Sequence, residues 1–333
     1  MSTLYVVEPG ARLEKEYQRV TVVKDDVVLL RVPLAHLTDI VLVGQTGVTL
    51  PAMLALLDAG VSFSLITQTG QLRGRLTPPT PRNIPLRHQQ YRRACDPDFC
   101  LRFSKAVAAA KLRNQRTLAR RICRASQAAD LAPESEIEAI TRAIRSLEAA
   151  PDLGSLRGLE GAAGRAYFKV LRRALRSGWE SPRRSRRPPQ DPLNVLLSLG
   201  YTLLGQNVMT ALEVVGLDPY DGFFHADKYG RPALALDLVE EFRSVIVDSV
   251  VLTVVNKRIL TPQDFEHTES GVFLSQRGMR RFLVQYSARL QSQVFHPYAG
   301  KRLTYQKCLE VQARLARKFI EGEAGAYAGF LAK

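Results

Sequence analysis

At 333 residues with 46% apolar side chains, the chain is long enough to bury two separate cores, since a typical domain takes about 100 to 200 residues. Its 47 Lys and Arg against 32 Asp and Glu give a formal charge of +15, which makes nucleic acid the leading partner. No apolar run approaches the roughly 20 residues of a membrane span, and the opening MSTLYVVEPG lacks a basic start with an apolar stretch, so no membrane partner and a cytoplasmic location are expected.

Residues 1 to 80 hold seven basic and seven acidic side chains, so the whole excess charge lies downstream. Within this neutral part, apolar and polar positions alternate with the period of a strand over 4–7, 19–23, 27–32, 39–43 and 61–66, separated by Pro9-Gly10, Asp25-Asp26 and Gly44. One helix interrupts them: Thr49 caps it, Pro51 suits its first turn, 53–57 is apolar and Gly60 closes it. The expectation is an α+β protein with a small β-sandwich-like domain over 1–75, followed by a larger all-α domain.

Four prolines fall within 76–86, which breaks ladders and helices alike and marks a linker. From 87 to 333 the pattern reads helical, with candidate helices at about 87–95, 99–125, 134–149, 155–177, 191–215, 234–256, 278–292 and 303–321. Four cysteines, Cys95, Cys100, Cys123 and Cys308, show no zinc-ligand spacing and are expected to be packed thiols. No glycine loop with the pattern and lysine of a nucleotide site is present, so ATP is not expected.

Two segments concentrate positive charge. Residues 81–130 contain twelve basic and three acidic side chains, including Lys111, Arg113, Arg116 and Arg120, several of which share a stripe at helical spacing suited to a phosphate backbone. The loop SPRRSRRPPQDP places Arg183, Arg184, Arg186 and Arg187 between prolines, where guanidinium groups can take phosphate with paired hydrogen bonds.

Three acids and a histidine could perform chemistry. Glu160 lies among Gly158, Gly161 and Gly164 in an otherwise helical stretch, which suggests that a backbone or ligand approaches there. Asp237 and Glu240 are three apart and share a helix face, whereas Glu241 is turned about 100° away, and His225 arrives from the preceding loop. Carboxylate, imidazole and carboxylate form an open site for Mg2+ or Mn2+, the imidazole tilting preference toward Mn2+. Such a centre could polarise a phosphodiester. From the residues alone, a DNA-binding scaffold with a buried polar network, or a general repair nuclease, remains open.

In order along the chain stand GLEG around Glu160, RRPPQDPLNVLLSLGYTLL from Arg186, GFFH ending at His225, and LALDLVEEFR with Asp237 and Glu240. With these motifs the sequence resembles the CRISPR-associated adaptation integrase family over nearly its whole length. The resemblance implies a metal held by Glu160, His225 and Glu240, with Asp237 as a supporting acid of the catalytic set. It also implies DNA contact by Lys111, Asn114 and Gln115, beside that expected of Arg113 from the basic stripe, and the joining of 3′-hydroxyl ends of short foreign DNA to a CRISPR repeat. The implied partners are double-stranded DNA as spacer precursor and repeat, a second copy in a homodimer built through the β-domains, and a small ferredoxin-like CRISPR adaptation protein in a heterohexamer.

Overall fold

The computed structural model describes residues 2–79, 83–125, 134–179, 189–225, 228–269 and 271–332. Its first part contains β1 (Ser2–Val6), β2 (Arg12–Glu16), β3 (Arg19–Lys24), β4 (Val27–Pro33), β5 (Leu37–Val43), β6 (Gly47–Val48), α1 (Leu50–Asp58), β7 (Ser62–Ile66) and β8 (Leu72–Leu76). These make two four-stranded sheets, ordered β4-β3-β2-β6 and β1-β5-β7-β8. Helix α1 begins as its sequence requires, with the Thr49 side chain accepting from the Ala52 N–H and Gly60 adopting a positive φ of 73°.

The second sheet is shared between two cores. Successive side chains on a strand point to opposite faces, and on β5 Ile40 and Leu42 join Leu13, Val20 and Phe63 between the sheets, while Val41 and Val43 join the large helical core. The β-part and helical part are therefore packed directly against each other. Polar contacts reinforce this seam: Arg75 on β8 makes a two-pronged ion pair with Glu213, at 2.8 and 3.0 Å, and reaches Thr210 at 2.9 Å.

The same seam buries Asp39, whose outer carboxylate oxygen has no hydrogen-bond partner among the described residues. Burial pushes its pKa up from 3.8 to about 7, only partly opposed by Arg75. The folded state thus holds a proton that the unfolded chain releases, and stability falls as pH rises from 4 to 7. Asp39→Asn should remove that fall and stabilise the protein at pH 8 by on the order of 4 kcal/mol. Thermal unfolding of both proteins across pH 5 to 8 checks this; parallel curves would refute it.

The helical part comprises α2 (Ile84–Ala94), α3 (Pro97–Ala125), α4 (Glu134–Ser146), α5 (Leu153–Arg173), α6 (Pro192–Val215), α7 (Ala233–Phe242) and α8 (Ser249–Asn256). Beyond them lie the hairpin β9 (Phe265–Thr268) and β10 (Gly271–Leu274), α9 (Gln276–Gln291), the hairpin β11 (Gln293–His296) and β12 (Lys301–Thr304), and α10 (Tyr305–Glu321). Two short hairpins thus accompany the helices. Asp152 and Asp191 cap α5 and α6 by accepting from the N–H groups of Ser155 and Asn194. Helix α6 is long and apolar enough to cross a membrane, but 72% of its most apolar stretch is buried inside the protein, where it forms the central core helix. The expected helix over 234–256 is interrupted by a π-helical turn at Ser244–Asp248. All four cysteines are free thiols.

Candidate active site

Four separate segments bring the predicted chemistry together. Helix α3 carries Lys111, α5 carries Glu160, α7 carries Asp237 and Glu240, and the loop before α7 carries His225. That loop crosses the start of α7 so closely that a side chain at Gly222 would meet the backbone of Ala233 and Leu234 at 2.6 Å, so glycine is required there. Gln90 on α2 braces the loop by donating to the carbonyls of Asp218 and Asp221, both at 2.8 Å, and accepting from the Asp218 N–H at 2.9 Å.

Asp237 sets the histidine. One carboxylate oxygen accepts the N–H groups of Phe223 and Phe224 at 2.8 and 2.9 Å; the other accepts the His225 N–H at 2.9 Å and faces the His225 Nδ1 at 2.7 Å. Because a carboxylate offers only acceptors, Nδ1 carries a proton there and Nε2 is the nitrogen left facing the site. That nitrogen lies 3.8 Å from Glu240 Oε1. Asp237 is therefore a positioning group behind the imidazole, while Glu240 stands in front of it.

Glu240 is almost completely buried, and burial alone would raise its pKa, but the charges of Arg243, Lys111 and His225 outweigh that effect and hold it at about 2. It is an anion throughout the neutral range. Arg243 binds Glu240 Oε1 at 2.5 Å and stacks over the Tyr201 ring with 4.1 Å from guanidinium carbon to centroid. The Tyr201 hydroxyl in turn donates to Asp248, within the π-helical turn, which also accepts from the Tyr167 hydroxyl. Lys111, only 8% exposed, bridges Glu160 and the second oxygen of Glu240.

Among the described residues no three His, Cys, Asp or Glu side chains form a ready-made metal cage. The Lys111 ammonium instead takes the place between Glu160 and Glu240 that a cation would occupy, and in this sense stands in for one. Two carboxylates and an imidazole nitrogen form a suitable donor set for a divalent ion. The residues present fit a metal in chemistry, once Lys111 yields the position between the acids.

Other expected residues fall elsewhere. Arg113 is exposed on another face of α3, about 200° around the helix from Lys111. Near it, burial and the charges of Arg120, Arg113 and Arg145 press the pKa of Arg116 down, which marks a crowd of guanidinium groups short of acidic neighbours. Arg183, Arg184, Arg186 and Arg187 lie outside the described residues. Asn114 and Gln115, expected at the DNA, are both buried. Asn114 donates to the carbonyls of Glu241 and Phe330 at 2.9 and 2.8 Å and accepts from the Ala332 N–H at 3.1 Å. Glu241 completes this net by accepting from the Tyr327 hydroxyl, the Phe330 N–H and Gln312, while burial pushes its pKa up to about 7. The segment after α10 is thus tied between α3 and α7, directly behind Glu240.

Of the two expectations for the glycines around Glu160, a crossing backbone is not found among the described residues: a side chain at Gly158 would meet none of them within 4 Å, and one at Gly164 would meet only Glu160 Oε1 at 3.9 Å. Arg243 was not singled out by sequence, although its place one turn after Glu240 on the same face was the available signal.

Residues 4–288 match the family described as CRISPR associated protein Cas1. The chain belongs to the Cas1 family. It is 38% identical over 333 residues to CRISPR-associated endonuclease Cas1 3 of Thermus thermophilus, with 99% of this chain and 97% of the relative covered. A Cas4/Cas1 fusion of Geobacter sulfurreducens, named exonuclease and endonuclease, is 34% identical over 99% of this chain, which spans 60% of the fusion. Among solved structures, the Cas1 protein of Thermotoga maritima shares the fold with a TM-score of 0.82, 20% identity and coverage of 98% and 99% of the two chains. A casposase bound to integration product gives 0.84, 21%, 98% and 93%. Family membership places the chain among CRISPR-associated endonucleases, and the Cas1 architecture accounts for β-strands followed by a helical part.

Proposed function

We propose that this chain is a CRISPR adaptation integrase, a divalent-metal-dependent endonuclease and strand transferase that joins the 3′-hydroxyl ends of short foreign DNA to the CRISPR repeat. The observation that carries this reading is that Glu160 and His225 both come to Glu240: Lys111 bridges Glu160 to one oxygen of Glu240, and His225 Nε2 lies 3.8 Å from the other. These three are the proposed ligands of Mg2+ or Mn2+. A metal held there supplies Lewis-acid polarisation of the scissile phosphodiester and charge stabilisation of the leaving oxygen.

The protein's own groups do the rest. Asp237 keeps His225 in the tautomer whose Nε2 faces the site, and Arg243 offers a permanent positive charge beside Glu240, where a phosphate oxygen gains charge. In the transfer step the oxygen of a 3′-hydroxyl gives its proton to solvent and forms a bond to phosphorus, while the bond from phosphorus to the 3′-oxygen of the repeat strand breaks and that oxygen takes up a proton. One ester replaces another, so no water is consumed. The casposase that shares this fold was solved with integration product, which supports transfer as chemistry this architecture accommodates.

A labelled duplex with free 3′-hydroxyls and a supercoiled repeat plasmid, incubated with the protein and a small ferredoxin-like partner, should give joined product with Mn2+ and none with EDTA. DNA binding without joining under both conditions would favour a scaffold instead.

The reading includes a homodimer within a heterohexamer. Strand β4 lies at a sheet edge, and its run from Val27 to Leu30 is exposed, Val27 at 60% and Leu29 at 50%. An apolar edge strand in water invites pairing with another chain, and a second copy of this sheet supplies a like surface. Leu29→Lys should convert the dimer to monomer in light scattering, since each buried leucine contributes about 2 kcal/mol. An unchanged dimer mass would place the interface elsewhere.

A further inference from the structure

Of the five charged groups that meet around Glu240, one is built to leave. Arg243 is fixed: its guanidinium is stacked on Tyr201 while it binds Glu240 Oε1. Asp237 is fixed by three backbone N–H groups. Lys111 differs, because its ammonium sits at the end of a flexible four-carbon stem and, among the described residues, is held only by Glu160 and Glu240. Its backbone is anchored, since Asn114, one turn further along α3, is bonded to the Glu241 carbonyl on α7. The head can therefore swing while the helix stays in place.

We propose that Lys111 is a resident counter-cation that competes with the divalent metal for the place between Glu160 and Glu240, so that metal entry drives its side chain out of the site. This inference rests on the metal-centre reading above and adds to it a reason why the acids stay together before metal arrives. Without Lys111, two carboxylates would face each other across a poorly solvated gap, and like charges so placed repel. With it, they are held at the spacing a cation needs. Two cations cannot share that space, so the lysine lowers the apparent affinity for metal while preserving the geometry that receives it. Among the described residues, nothing comes within 4 Å of the place a side chain at Gly158, two residues before Glu160, would take.

The sign of one substitution separates this from a structural role. Lys111→Met keeps the length and apolar stem and removes the charge. If Lys111 competes, full-length Lys111→Met should bind Mn2+ about tenfold more tightly than wild type in calorimetry or in titration of free Mn2+ by electron paramagnetic resonance. If Lys111 is merely a brace, losing it loosens the site and Mn2+ binding weakens or is unchanged, which would overturn the proposal. Binding by neither protein would overturn the metal-centre reading together with it.

A second measurement needs no variant. In wild type the ion-paired Lys111 should react slowly with an amine-acetylating reagent, and saturating Mn2+ should raise its labelling several-fold by peptide mass spectrometry while the exposed Lys169 stays constant. Bound Mn2+ with unchanged labelling at Lys111 would show that the ammonium remains between the acids.

Discussion

Glu240→Gln is expected to lower metal-dependent strand transfer by at least about 10³-fold, equivalent to several kcal/mol of lost transition-state stabilisation. Glutamine has nearly the same shape, so the packing of α7 is preserved and the change is one of charge. Glu240 alone faces His225, Lys111 and Arg243 together, and its carboxyl is ionised far below neutral pH. Removing that charge withdraws a ligand and leaves two cations unbalanced in a confined space. DNA affinity should change little, because it is carried by many dispersed cations and falls with salt. Product formation in single-turnover strand transfer, alongside DNA binding at several salt concentrations and a thermal melt, tests this. A variant that transfers strands at the wild-type rate would remove Glu240 from the chemistry.

The second large effect is expected at Asp237, which touches nothing that reacts. Its two oxygens serve four donors: the backbone N–H groups of Phe223, Phe224 and His225, and the His225 ring. In Asp237→Asn one oxygen becomes an NH2 group that points at donors, so at least one backbone N–H loses its partner. A buried group so orphaned costs about 1 to 3 kcal/mol. The imidazole is also released from its tautomer and orientation, and groups acting behind a metal ligand in this way change affinity or activity by about 10- to 100-fold. The expected pattern is therefore a lower melting temperature with weaker Mn2+ binding and slower transfer. A fully active Asp237→Asn of unchanged stability would show that His225 needs no support.

Both predictions depend on contacts that local sequence could signal only in part. Thr49, Pro51 and Gly60 announced α1 because capping and termination are local events. The strands at 19–23, 27–32 and 61–66 were legible because one face of each pair is apolar. Strand β2, with the sequence RLEKE, was not: only Leu13 turns inward, and its charged neighbours are paired with residues such as Arg31 that come from elsewhere. Strand β8 hides its role for a similar reason, since Arg75 reads as a surface residue until Glu213 on α6 binds it. The hairpins after α8 and α9 are four residues a strand, too short for periodicity to declare.

The site follows the same division. Asp237 and Glu240 shared a face by helical arithmetic, and the motif order pointed to Glu160 and His225. Their convergence belongs to tertiary structure, as does the inward turn of Lys111, which the sequence presents as one more cation in a basic stripe. The glycines near Glu160 suggest the close approach of a backbone or a ligand, and among the described residues no backbone makes that approach. Asn114 is a polar residue whose partners lie more than 100 positions away, and no local pattern could name them.

That distance has a consequence during synthesis. Asn114 takes the Phe330 carbonyl 216 residues downstream, and the Phe330 N–H in turn closes on Glu241 behind Glu240. At a translation rate of about 5 to 20 residues per second, α3 waits about 10 to 40 s for the segment that locks it against α7. A nascent chain can already display Glu160, His225 and Glu240 while the net behind them is still unmade. Closure of the net behind this centre therefore waits for a residue 89 positions beyond Glu241.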